Sequence, residues 1–366
     1  MAITYNPENE RLKRAYLTYM REAQQHSEAS LDSIAKAIHR SETYTRFRAF
    51  RAFHTEQATA FKRHLASSRN ERSGAPLSHA TQYSTLAALK ALFRWLADQP
   101  GFKRRLRYAD ADYFSMSRGD SRIAKAQGEV RVPSLEQVRA TLSAMPASTV
   151  IEQRDRAVFA FILLTGARDG AVPSLRRKHL DLASGRVVFD AREVKTKFSK
   201  SFSTWFFPVG DEALAIVRQW ADYLDKEALW GPDDPLFPAT RVEPGADRRF
   251  QPVGLDRKHW RTAGPIRGIF RVAFMRADLP YFGPHSFRKT LTQLGQRICG
   301  SPEAFKAWSQ NLGHEGVLTT LTNYGAVPPD RQAEIIRNLG NVPASQSEAL
   351  QELLKAAARV SSAKAD

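Results

Sequence analysis

Apolar residues near the start of the chain recur at intervals of three and four: Leu12, Tyr16, Leu17 and Met20, then Leu31, Ile34 and Ile38. That is the period of helices burying one face. Asn6-Pro7 before the first and Ser30 before the second supply starts, because a capping side chain satisfies amides that a first turn leaves unpaired. Ala58, Phe61 and Leu65 mark a third helix. Beyond the break Gly74-Ala75-Pro76, the stripe Leu86, Leu89, Leu92, Phe93 and Leu96 is the strongest, so helices are expected to dominate as far as Asp98.

The period lapses between Pro100 and Pro133, where Lys103, Arg104, Arg105, Arg107, Arg118, Arg122, Lys125 and Arg131 make the stretch read as a basic linker. Pro133-Ser134-Leu135-Glu136 then opens a helix ending near Met145-Pro146, and a second domain begins there. Past the apolar helix from Ala157 to Leu164, residues 185–189 and 202–209 are rich in β-branched and aromatic side chains with lysines between them. A small β-hairpin or sheet is predicted. Helical periodicity returns at Asp211, interrupted by Gly231-Pro232 and by a polar loop from Pro238 to Gly254. The expected fold class is mainly α with a small β insertion. Its divisions are a helical domain over 1–125 with the basic linker at its C-terminal end, a second domain over 133–342, and a tail over 343–366. In the tail, Leu350, Leu353, Leu354 and Ala357 form a narrow apolar stripe that either folds back on its own domain or packs on a neighbour.

Composition narrows the function. The 366 residues are 42% hydrophobic and 25% charged, which excludes low-complexity disorder. The longest apolar run, Ala157 to Leu164, is far short of the ~18 to 20 residues that cross a bilayer, and the first thirty residues lack the apolar core of a secretion signal. No membrane partner is expected. A single cysteine, Cys299, cannot form an internal disulfide, so the cytoplasm is the default compartment. Lys and Arg number 55 against 38 Asp and Glu, a net +17. Such an excess favours a polyanion, nucleic acid first, because cations that neutralise phosphates release condensed counterions.

Generic chemistry motifs are missing: there is no phosphate-cradling Gly-rich loop followed by Lys-Ser/Thr, no His-Glu-x-x-His and no zinc-spaced Cys pair, so neither ATP nor a metal nor another cofactor is implied. What remains is a scattered set of phosphate-type residues. Thr165-Gly166-Ala167-Arg168 puts an arginine just after a buried helix. His285-Ser286-Phe287-Arg288 places His285 and Arg288 one helical turn apart, and Leu312-Gly313-His314 is followed by Tyr324. Singly, Arg168 reads as a charge complementing a helix dipole, Tyr324 as a core aromatic and His314 as a structural histidine.

In order, the set resembles the tyrosine recombinases, the phage integrase family. That family carries Thr-Gly-x-Arg, a lysine on a β-hairpin, His-x-x-Arg, Leu-Gly-His and a nucleophilic tyrosine, and the match here spans about Pro133 to Gly340. The helical first 100 residues look like the family's core-binding domain. The resemblance implies a two-domain clamp on double-stranded DNA that cleaves and rejoins it through a 3′-phosphotyrosyl bond without metal or ATP. It also implies a homotetramer on DNA that exchanges C-terminal tails, in an integrase of a mobile element. Arg168 and Arg288 would bind the non-bridging oxygens as charge builds on them, His285 would accept the tyrosine proton, His314 would hold the phosphate, and Tyr324 would attack. Among Lys195, Lys197 and Lys200, Lys197 fits the family's hairpin pattern and would protonate the leaving 5′ oxygen. Two positions depart from the pattern: Ala171 stands where an acid is usual, with Asp169 nearby, and Tyr324 follows His314 by ten residues where nine is usual. A type IB topoisomerase and a catalytically silent DNA-binding relative are the alternatives.

Overall fold

The computed structural model describes residues 5–70, 73–125, 131–245 and 248–314. Tyr324 and the apolar stripe of the tail lie outside the described residues. The chain divides into two compact units, Met1–Gln127 and Gly128–Asp366.

The first unit is helical: α1 (Pro7–Glu22), α2 (Glu28–Tyr44), α3 (Thr55–Ser67) and α4 (His79–Ala97) carry the expected stripes. The Asn6 side chain accepts from the amides of Glu8 and Asn9 and so caps α1. The expected cap of α2 is corrected: Ser27, not Ser30, is the cap, and its hydroxyl accepts from the Ser30 amide at 3.3 Å. The linker reading is corrected too. Phe102, Leu106, Ala111 and Phe114 are all buried in the same core as Tyr16, Phe61 and Leu89, and the stretch includes the short helices α5 (Tyr108–Ala111) and α6 (Arg118–Lys125). A four-residue helix is too brief to display a 3.6-residue period, which is why the stretch looked unstructured in sequence.

The second unit is built around α8 (Val150–Thr165), whose last nine residues are all buried because α9 (Asp211–Asp222), α10 (Gly264–Arg276) and α11 (Pro284–Ile298) pack around it. A helix apolar on every side is expected to be covered on every side. It follows α7 (Leu135–Ser143), which Ser134 and Gln137 start with a reciprocal capping box. The chain then forms an antiparallel sheet in the order β1 (Leu180–Asp181), β2 (Arg186–Phe189) and β3 (Phe202–Trp205). Leu236, Phe237 and Trp220 extend the core.

Where a polar loop was expected, β4 (Pro238–Pro244) and β5 (Phe250–His259) pair as a second antiparallel sheet, bulged between Arg241 and Val242. Its outer half is exposed on both faces, so no buried side imposed the alternation by which strands are recognised. The unit's described part ends with α12 (Pro302–Asn311). The fold class is as expected, mainly α with small antiparallel sheets. Among the described residues no helix is long and apolar enough to cross a membrane.

Candidate active site

The site starts where α8 stops. Gly166 ends the helix at φ +61°, a left-handed conformation that favours glycine, and its amide still donates to the Ile162 carbonyl at 2.9 Å. A side chain there is also excluded by packing, since a Cβ would lie 2.7 Å from Leu312 Cδ2 and 3.2 Å from Leu291 Cδ1. The turn delivers Arg168 half-buried, with no acidic partner among the described residues, and burial lowers its pKa. Asp169 does not serve it. The Asp169 carboxylate accepts instead from Arg267 Nε on α10 at 2.7 Å, while Ala171, at the position where the resemblance leads to an acid being expected, is buried.

Helix α11 presents His285 and Arg288 one turn apart, started by Pro284 at its first position. Arg288 is 5% exposed and its guanidinium ties the frame of the site together. It donates to the Gly166 carbonyl at 2.5 Å, to the Leu312 carbonyl at 2.6 Å and to His314 Nε2 at 2.8 Å. Arginine is donor only, so His314 Nε2 must be the accepting nitrogen and the ring proton sits on Nδ1. Burial, then the cations of Arg288 and Arg168, push the His314 pKa down to about 4. His285, at the open side, is also lowered by partial desolvation and then by Arg288, Arg168 and Lys289, with Asp169 opposing. Both imidazoles are therefore neutral near pH 7, and both sense both arginines.

Asn311, at the end of α12, fixes the third side. Its amide accepts from the Trp205 N–H at 2.7 Å and donates to the Trp205 carbonyl at 2.9 Å, mimicking a strand neighbour of β3. Thr204 Oγ1 donates to the Asn311 carbonyl at 2.6 Å, and the Phe207 amide donates to the Leu164 carbonyl at 2.7 Å. Gly313, at φ +68°, lets the chain pass Phe202, whose ring a Cβ would meet at 3.0 Å. The ends of α8 and α12, the buried arginine of α11 and strand β3 thus form one hydrogen-bonded frame. Sequence reasoning passed over Asn311; its signal is an amide side chain directly before Leu-Gly-His.

The lysines stand on the connection between β2 and β3 rather than on the strands. Lys197 opens a short 3-10 turn, Lys197–Ser199, and is exposed, as is Lys195. Buried Val194 and the bond from the Lys195 amide to Ser174 Oγ, 2.9 Å, pin the start of this segment. The structure therefore gathers Arg168, His285, Arg288 and His314, and places Lys197 on the neighbouring loop. Tyr324 falls outside the described residues.

The architecture is that of the tyrosine recombinase fold. The chain superposes on XerH site-specific recombinase bound to a palindromic difH substrate with a TM-score of 0.58 at 14% identity, over 90% of this chain and 84% of that one. A Tn1549 transposon integrase in complex with a circular intermediate DNA gives 0.55 at 16% identity, over 89% and 99%. In sequence, the chain is similar to tyrosine recombinase XerC 2 of Ralstonia nicotianae (strain ATCC BAA-1114 / GMI1000), 29% identical over 199 residues. That alignment takes in 50% of this chain and 51% of the relative, so the chain spans about half the length of the curated relative it matches. No protein-family model matches the chain. The resemblance read from the ordered motifs is thus matched by the fold and by this relative.

Proposed function

We propose that this chain is a site-specific DNA recombinase that cleaves and rejoins double-stranded DNA through a 3′-phosphotyrosyl intermediate, without metal or ATP. The observation that carries the reading is the half-buried Arg168 cation, which has no acidic partner among the described residues, beside the buried fork of Arg288. Uncompensated buried charge is costly, and a phosphodiester is the anion that would repay it. In this reading Arg168 and Arg288 stabilise the charge that develops on the non-bridging oxygens. His314, its Nε2 spent on Arg288, offers Nδ1–H to the phosphate. Neutral His285 accepts the proton of Tyr324, and Lys197 protonates the leaving 5′ oxygen. The phosphotyrosyl bond retains the energy of the broken phosphodiester, so rejoining needs no nucleotide.

The working assembly in this proposal is a homotetramer on two DNA sites, acting in the cytoplasm as the integrase of a mobile element. The tail stripe Leu350, Leu353, Leu354 and Ala357, narrow and apolar in sequence, would pack on a neighbouring protomer. The test is a suicide duplex built from the DNA that flanks the coding region. The native chain should form a covalent protein–DNA adduct, and Tyr324→Phe should bind the duplex equally well and form none. An adduct with the Phe variant overturns the assignment of Tyr324, and no adduct with the native chain overturns the activity.

A further inference from the structure

A cavity of about 220 Å³ opens between the turn after Arg168, the Lys195 segment and the connection from β5 to α10. Its walls are stiff. Trp260 is 8% exposed and carries the Arg154 guanidinium stacked 4.8 Å from its ring, and the His259 ring is held by its Nδ1, 2.8 Å from the Pro173 carbonyl. The Ser174 hydroxyl donates to the Ala171 carbonyl at 2.8 Å and accepts from the Lys195 amide, which ties the lysine segment to the turn.

The charges lining this cavity are unequal. Glu193 is the one carboxylate among its lining residues, and it is occupied by Lys178 at 2.8 Å and His179 at 2.9 Å. Arg176 is engaged with Asp233 at 3.1 Å. Lys195 and Arg261 have no acidic partner among the described residues. Two cations with no acidic partner among the described residues, on the lining of one stiff cavity, match the charge of a phosphate group. Gly170, on its rim, is two residues from Arg168 and so at most about 7 Å away along the chain. Successive nucleotides of a strand advance ~3.4 Å along the duplex axis, which places a phosphate one or two nucleotides from the scissile one within reach.

We infer that Lys195 and Arg261 grip a DNA backbone phosphate adjacent to the scissile phosphate in this cavity. This assigns Lys195 a positioning role distinct from the proton donation proposed for Lys197, and it rests on the reading of the chain as a DNA-cleaving enzyme. Each neutralised phosphate contributes a slope of about 0.9 in log K against log salt, worth roughly eightfold in affinity at ~0.1 M relative to ~1 M.

The double variant Lys195→Ala/Arg261→Ala should therefore bind an arbitrary duplex with a slope smaller by about 1. Its melting temperature should be unchanged, because both side chains are exposed. Lys226→Ala, which removes a cation that does not line this cavity, from the turn after α9, serves as the control and should leave the slope as it is. On the suicide duplex, neutral methylphosphonates placed singly beside the scissile position should weaken the native chain at one phosphate, and the double variant should be indifferent at that same phosphate. A double variant with an unchanged slope, or one that loses affinity at that same methylphosphonate as the native chain does, overturns the inference. So does inorganic phosphate, at constant ionic strength, erasing the difference between the two proteins, since the cavity would then take a free anion. If the native chain forms no adduct while the slope falls as expected, the activity fails and the phosphate grip stands.

Discussion

Replacing Gly166 by alanine tests whether the end of α8 is the keystone of the site. The left-handed conformation at φ +61° costs an L-residue roughly 1 to 2 kcal/mol. The new methyl would stand 2.7 Å from Leu312 Cδ2 and 3.2 Å from Leu291 Cδ1, and both leucines are fully buried, so neither can swing into solvent. Overpacking of this kind adds about 1 to 3 kcal/mol, for a total of about 2 to 5 kcal/mol. In a unit of this size each kcal/mol lowers the melting temperature by about 2 to 4 °C, so a fall of about 4 to 20 °C is expected by calorimetry. The same substitution should damage the chemistry more than DNA affinity, because the carbonyls of Gly166 and Leu312 are two of the acceptors that aim Arg288. Gly170→Ala is the matched control: its methyl would meet nothing within 4 Å, so the melting temperature should hold or rise slightly. A Gly166→Ala protein that melts with the native chain and forms adduct at the native rate refutes the keystone role.

Two further outcomes follow from the same geometry. The acid limb of the cleavage rate should lie below the ordinary histidine value of ~6.5, because burial and the arginine cations lower His285 and take His314 to about 4; a limb centred at or above ~6.5 would contradict this. Stability has a definite sign as well: between pH ~6.5 and about 4 the unfolded chain binds protons that the folded histidines refuse, so DNA-free stability should fall as pH drops through that window, as urea titrations would show. A duplex with a 5′-bridging phosphorothiolate, whose sulfur leaves without a proton, should restore cleavage to Lys197→Ala and not to Lys195→Ala or Arg168→Ala; rescue of the Lys195 variant would move proton donation to that residue.

The one-sided helices were legible in the sequence because their burial is periodic. The stripes of α1 to α4, the Asn6 cap and the capping box at Ser134 are local signals, set by residues within one turn of each other. The ordered residues Arg168, His285, Arg288 and His314 were legible for another reason, since their types and order survive in the chain even though it does not say that they meet. Tertiary structure decided that meeting. Gly166 and Leu312 are far apart in sequence, yet their carbonyls and the His314 ring share one guanidinium. It also overturned readings where local pattern was silent. The basic stretch after Pro100 folds into the first core through four separated apolar residues, and β4 and β5 pair although their outer half has no buried face to impose alternation. The cavity shared by Lys195 and Arg261 is of the same kind: a strand end, a turn and a loop supply its walls, and chemistry built from such remote pieces has no period or spacing by which a sequence can announce it.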